Sequence, residues 1–207
     1  MARHKTPPRP STQARRSIAS LAARMMAEDG INDYGHAKRK AARSLGMGEE
    51  EALPTNDEVE AELRIYQSLY QEDEQPDRLR ELRQVALEVM ELLAEFRPYL
   101  TGAVLDGTAG RYAEVEIDLF ADSAKDVEIS LLSREIPYEI AEPKRRGPDT
   151  PEAELRIDCE GTPVMLAVYP LQLERQQRRN PHSGNRSQRA RASHVATLVA
   201  EEAGKPV

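Results

Sequence analysis

Apolar positions in the first half of the chain recur at helical spacing. Ile18, Leu21, Ala22 and Met25 fall three and four apart, which predicts a helix from Ala14 that stops at Gly30. In "YGHAKRKAARSLGM", Ala37, Ala41 and Leu45 form one stripe, with Lys38, Arg39, Lys40 and Arg43 around the rest. This is a second helix, ended by Gly46 and Gly48. Thr55 or Asn56 opens a third, with Asp57 and Glu58 at the positive end of its dipole and Val59, Leu63, Tyr66 and Tyr70 as its stripe. The strongest repeat follows Pro76. Leu79, Leu82, Ala86, Val89, Leu93 and Phe96 step 3-4-3-4-3, which predicts a long helix over 77–97, closed by Pro98.

Beyond Pro98 the elements become short strands. "TGAVLDG" (101–107) and "AEVEIDLFA" (113–121) read as strands. Ser123 with Asp126 looks like a capping box, opening a helix that carries Val127, Leu131 and Leu132. "PYEIAE" is a short strand, 143–151 a loop, and "AELRIDCE" and "PVMLAVYP" two strands joined as a hairpin through Glu160-Gly161-Thr162. The fold class that follows is α+β. A disordered tail (1–13) precedes a helical region (14–97); a small mixed β-sheet domain packed on helices (98–170) leads into a basic flexible tail (171–207), with one short helix near 190–202. The long helix is expected against the apolar face of the sheet.

Composition narrows this picture. With 39% hydrophobic residues, no Trp and two Phe, the core rests on Leu, Val, Ile and Ala. The single Cys159 excludes an intramolecular disulfide and a Cys-rich zinc site, which fits a reducing, cytoplasmic setting. Its strand puts it on the apolar side as a small buried thiol. No apolar run approaches the roughly 20 residues that span a bilayer. The first 27 residues hold no acid; their Arg-rich composition has some character of a transit peptide, and they read better as a Pro-rich tail followed by a helix. Residues 1–50 carry ten Lys/Arg against five acids and residues 171–207 seven against three. Within a net charge of −7, the middle is left with sixteen surplus acids. Basic N- and C-terminal arms suit a polyanion such as nucleic acid, or the acidic centre itself. In the last arm Arg175, Arg178, Arg179, Arg186, Arg189 and Arg191 are candidate phosphate holders. His4, His36, His182 and His194 lack the i, i+4 partner of a zinc helix. The acid-rich third helix argues against a helix-turn-helix DNA reader.

The acids of "RYAEVEIDLFAD" carry the candidate chemistry. Residues two apart on a strand share a face, so Glu116 and Asp118 stand side by side. In "LRIDCE", Asp158 lies opposite Leu155, Ile157 and Cys159. If the two strands are neighbours, Asp158 joins Glu116 and Asp118, and three converging carboxylates suit Mg²⁺. A half-solvated strand shows the same alternation. The order of parts is more specific: a Gly strand, a Gly turn, the acid pair, a helix, then a third acid.

That order, in "LTGAVLDGTAGRYAEVEIDLF" and "LRIDCE", resembles the nucleotidyltransferase superfamily of DNA polymerase beta, tRNA nucleotidyltransferases and the minimal nucleotidyltransferases. The resemblance covers roughly residues 99–170. It implies a Mg²⁺-dependent transfer of a nucleoside monophosphate from an NTP such as ATP to an acceptor. Glu116, Asp118 and Asp158 would be the catalytic and metal-binding residues, and Gly102, Ala103 and Gly107 the nucleotide-binding ones. Ala103 stands where the family usually has Ser, and Glu116 replaces the usual first Asp. The competing class is a catalytically inactive binding or regulatory protein that keeps the fold, with nucleic acid as a partner of the basic arms.

Overall fold

A computed structural model describes residues 12–47, 53–70, 74–141, 150–176 and 188–203. The chain folds as two compact units, the first within Met1–Glu72 and the second from Asp73 onward. The sequence expectation put a boundary at residue 97. The break falls after Glu72 because the stripe of the long helix is buried on the sheet and belongs with it.

The first unit contains α1 (Thr12–Asp29), α2 (Tyr34–Ser44) and α3 (Asn56–Tyr70). Its core is small-residue packing. Ile18, Ala22, Ala37, Ala41 and Val59 are fully buried, with Leu63 beside them. Asp33 caps α2, accepting the His36 N–H at 2.6 Å. Thr55 Oγ1 accepts the Glu58 N–H at 3.2 Å, and Glu58 Oε2 accepts the Thr55 N–H at 2.6 Å, a reciprocal capping box at the start of α3. Two expected stripe residues lie outside the core. Leu45 caps α2 and is exposed, as is Tyr70 at the end of α3.

The second unit is α+β. α4 (Glu74–Leu92) runs into a 3₁₀ turn (Ala94–Phe96), and Arg97, with φ 48°, ends it before Pro98. Then come β1 (Tyr99–Thr101), α5 (Gly102–Asp106), β2 (Val115–Ala121), α6 (Ala124–Ser133), β3 (Tyr138–Ala141), β4 (Ala153–Cys159), β5 (Thr162–Pro170), a 3₁₀ turn (Leu171–Arg175) and α7 (Ala192–Ala203). The sheet order is β1-β2-β5-β4-β3, with β2 and β5 parallel and the other neighbours antiparallel.

Register divides the sheet into two faces. Ile117, Leu166 and Leu155 form one row of the apolar face, and Leu119 with Val168 another. All five are buried to within about 1%. Leu82, Val89 and Leu93 are buried against this face as expected, together with Val127 and Leu131 of α6. Ser123 caps α6 by accepting the Lys125 N–H.

Two expectations are corrected here. The run 101–107 is not a strand. β1 stops at Thr101, because Gly102 at φ +69° turns the chain and Ala103–Leu105 form a helical turn. The region 171–207 is not wholly a flexible tail. Ala190 pairs with Leu100 by two backbone hydrogen bonds of 2.9 and 3.0 Å, and α7 packs on α4 with Val195 fully buried. The short helix expected near 190–202 is α7. Residues 1–11 and 177–187 of the two basic arms lie outside the described residues, as do His4, His182, Arg178, Arg179 and Arg186. Among the described residues no helix is long and apolar enough to cross a membrane.

Candidate nucleotide and metal site

The site is built on the bend at Gly102. Its positive φ is a backbone that glycine adopts without steric penalty. Ala103 follows Gly102 in α5, and its carbonyl accepts the Thr108 and Ala109 N–H groups at 3.0 and 3.1 Å. Gly107, at φ +79°, terminates the turn. Two side chains of α4 hold this loop from outside. Gln75 Nε2 donates to the carbonyls of Gly107 and Ala109, both at 3.1 Å. Arg83 donates from Nε to Val104 O at 3.1 Å and from Nη2 to Leu105 O at 3.2 Å, while Nη1 pairs with Glu202 of α7. Sequence reading missed both residues. The signal was a charged residue set directly beside the apolar stripe, between Leu82 and Ala86.

β2 lies antiparallel to β1, with Thr101 opposite Glu116 and Tyr99 opposite Asp118. Both acids therefore stand on one face, beside the bend. The approach is close: a Cβ on Gly102 would meet Glu116 Oε2 at 2.6 Å. Thr101 Oγ1 donates to Glu116 O at 3.3 Å, and Asp118 is 9% exposed. Glu114, the third acid of this row, pairs with Arg156 at 2.9 Å.

Asp158 is not brought to this pair. β5 runs between β2 and β4, so the two strands are separated by about 10 Å, two strand spacings. Asp158 also sits at the far end of β4, opposite Pro163, whereas Glu116 and Asp118 align with Met165 and Ala167. Its carboxylate caps the β4–β5 hairpin, where Oδ1 accepts the Gly161 N–H at 2.9 Å; Glu160 and Gly161 both take positive φ in that two-residue turn. Among the described residues no three His, Cys, Asp or Glu side chains are grouped to hold a metal. The two acids that share the face beside Gly102 are Glu116 and Asp118. Asp158 stands apart from them.

Beside Asp118 the same face carries an aromatic cluster. Phe120 stacks on Tyr169 and meets Tyr99 edge-on. Arg189 lies over the Tyr99 and Phe120 rings at 5.0 and 5.5 Å, and its Nη2 donates to the carbonyls of Glu174 and Gln176. Arg191 lies over Tyr99 at 5.1 Å. These two arginines of the basic arm pin the chain after β5 to the edge of the sheet. Glu174 accepts from Arg97 at 2.6 Å and from the Tyr99 hydroxyl at 2.9 Å. The Arg97 hydrogen bond, more than any other contact, holds its carboxyl below the usual carboxylate range. Burial, then the charge of Asp158, pushes the Cys159 thiol up, as suits a packed rather than a nucleophilic cysteine.

A group whose folded pKa is depressed stabilises the fold above its unfolded pKa and loses that contribution as pH falls through the folded one. Glu174→Gln is therefore expected to cost about 1–3 kcal/mol at neutral pH, from its charge-assisted hydrogen bonds. The difference from the parent should shrink as pH falls through and below the ordinary carboxylate range. Urea midpoints of the two proteins across that range check both statements.

No protein-family model, no curated protein and no solved structure matches this chain. The nucleotidyltransferase resemblance therefore rests on the residues of its sequence motif alone.

Proposed function

We propose that the second unit binds the Mg²⁺ complex of a nucleoside triphosphate at Gly102, Glu116 and Asp118, and acts as a nucleotide-responsive binding or regulatory protein that retains a nucleotidyltransferase-like site. The observation that carries this reading is the acid pair set on the bare Gly102 bend, with Met165 and Ala167 rather than a third acid on the neighbouring strand. Mg²⁺ held by Glu116 and Asp118 would neutralise triphosphate charge. Ala103 offers no hydroxyl to the phosphates. Nucleotidyl transfer calls on two metal ions, one at the attacking and one at the leaving oxygen. Two carboxylates support one ion, which favours binding over transfer.

The test pairs two readouts. Mg²⁺ with ATP, GTP, CTP or UTP is expected to raise the unfolding temperature for at least one nucleotide, since a ligand at 100 times its Kd stabilises the native state by about 2.7 kcal/mol. Incubation with labelled NTPs is expected to leave no covalently transferred label. No shift with any NTP contradicts the binding site; a labelled acceptor contradicts the non-catalytic assignment.

A further inference from the structure

The chain after β5 returns to the sheet at β1. Ala190 pairs with Leu100 through backbone hydrogen bonds in both directions, and both residues are buried on the apolar side. Arg189 and Arg191, on either side of Ala190, both lie over the Tyr99 ring. Tyr99 is opposite Asp118, so both guanidinium groups stand on the face that carries the acid pair. They are held differently. Arg189 Nη2 donates to the Glu174 and Gln176 carbonyls at 2.9 and 3.2 Å, which anchors the returning chain. The Arg191 side chain is 71% exposed and reaches Glu174 Oε1 only at 3.4 Å. Glu174 keeps its closer partners, Arg97 and the Tyr99 hydroxyl, wherever Arg191 points. An ion pair this open contributes little. The backbone of Arg191 is nevertheless fixed, because its carbonyl accepts the His194 and Val195 N–H groups at 2.9 and 3.1 Å.

A magnesium–triphosphate complex is still an anion, and Glu116 and Asp118 set two carboxylates beneath it. Phosphate oxygens beyond the reach of the ion therefore need a cation on the same face. Of the other described arginines near that face, Arg156 is paired with Glu114 at 2.9 Å and Arg97 with Glu174 at 2.6 Å, and Arg189 is committed to carbonyls. On the reading that Mg²⁺–triphosphate binds at Gly102, Glu116 and Asp118, we propose that Arg191 holds its outer phosphates. One residue along from the Ala190–Leu100 pair, Arg191 comes opposite Tyr99, whose other neighbour is Asp118. Arg191 and Asp118 are thus two strand spacings apart, about 10 Å, a gap that a triphosphate and an arginine side chain close between them. The planar guanidinium offers a phosphate two parallel N–H donors, a strong charge-assisted contact.

Calorimetric titration of the full chain reads the proposal with three probes: Mg²⁺ alone, Mg²⁺ with the NTP that gives the thermal shift, and Mg²⁺ with inorganic tripolyphosphate. Arg191→Gln is expected to bind both triphosphates about 10–100-fold more weakly, as for the loss of a hydrogen bond between charged groups. Its affinity for Mg²⁺ alone and its circular dichroism spectrum should be unchanged. Arg134→Gln removes the same charge at the end of α6, where Arg134 pairs with Glu95, and should bind as the parent does. A parent that binds neither triphosphate removes the site itself and this assignment with it. Binding by the parent that Arg191→Gln matches overturns the role of Arg191 alone and leaves the acid-pair site standing. Equal weakening in Arg134→Gln, the mark of net charge, also overturns it. So does a loss with the NTP that tripolyphosphate does not share, which would put Arg191 at the base or ribose.

Discussion

Replacing Arg83 with leucine is expected to destabilise the second unit by about 3–5 kcal/mol, the cost of breaking a buried ion pair from one side. The Arg83 side chain is 8% exposed and that of Glu202 19% exposed. The substitution leaves the Glu202 carboxylate without its cation and removes the donors to the Val104 and Leu105 carbonyls. Three elements meet in this one side chain: α4 carries it, α5 gives it two carbonyls, and α7 gives it a carboxylate. The companion experiment is the double variant Arg83→Leu with Glu202→Leu. It should recover a large part of the loss, since an apolar pair in place of a buried ion pair is often neutral or better. Denaturant midpoints of the two single variants and the double variant complete the cycle. A loss below about 1 kcal/mol for Arg83→Leu would place the guanidinium in water, as for a surface pair.

The second large effect is on the ligand. Gly102→Ala is expected to weaken binding of Mg²⁺–NTP by about 10–100-fold, the range seen when groups supporting metal ligands are removed. Two consequences of one methyl group need separating. The left-handed backbone at Gly102 costs an L residue about 1–2 kcal/mol. The added Cβ also meets Glu116 Oε2 at 2.6 Å and Cδ at 2.9 Å. What gives way is the far end of the Glu116 side chain, which must swing from its place beside Asp118. Gly161→Ala is the control. Gly161 has φ +83° with nothing within 4 Å of its added Cβ. It should lose similar stability and leave nucleotide affinity unchanged.

Local features of this fold were legible in the sequence, and the order of strands was not. The 3-4 stripe of α4 is buried because helical periodicity depends only on spacing along the chain. The same holds for the helix start at Thr55, the acid-apolar alternation of β2, and the hairpin at Glu160-Gly161. Parity also placed Glu116, Asp118 and Asp158 on one face of the sheet correctly. It carries no information on which strands are neighbours. The insertion of β5 between β2 and β4 is a long-range choice, made by burying Val164, Leu166 and Val168 at the centre of the sheet, and it separates Asp158 from the acid pair. The error at 103–105 has a different source. A short apolar run does not distinguish a strand from a helical turn, and the positive φ of Gly102 decided it. The helix near 190–202 is legible as α7, but its docking on the core is not, because arginines dominate the chain before it. Ala190 and Val195 nevertheless pack into the core, and Arg189 and Arg191 bind aromatic rings and carbonyls instead of solvent.

The central claim is that two carboxylates, not three, hold the ligand. Calorimetric titration of Mg²⁺–NTP, with the nucleotide that gives the thermal shift, into the parent, Asp118→Asn and Asp158→Asn tests it most directly. The expected result is heat of binding from the parent, none from Asp118→Asn, and parent-like affinity from Asp158→Asn, whose only cost is a hairpin hydrogen bond of about 1 kcal/mol in stability. Binding by Asp118→Asn equal to the parent, or loss of binding in a folded Asp158→Asn, would contradict the account.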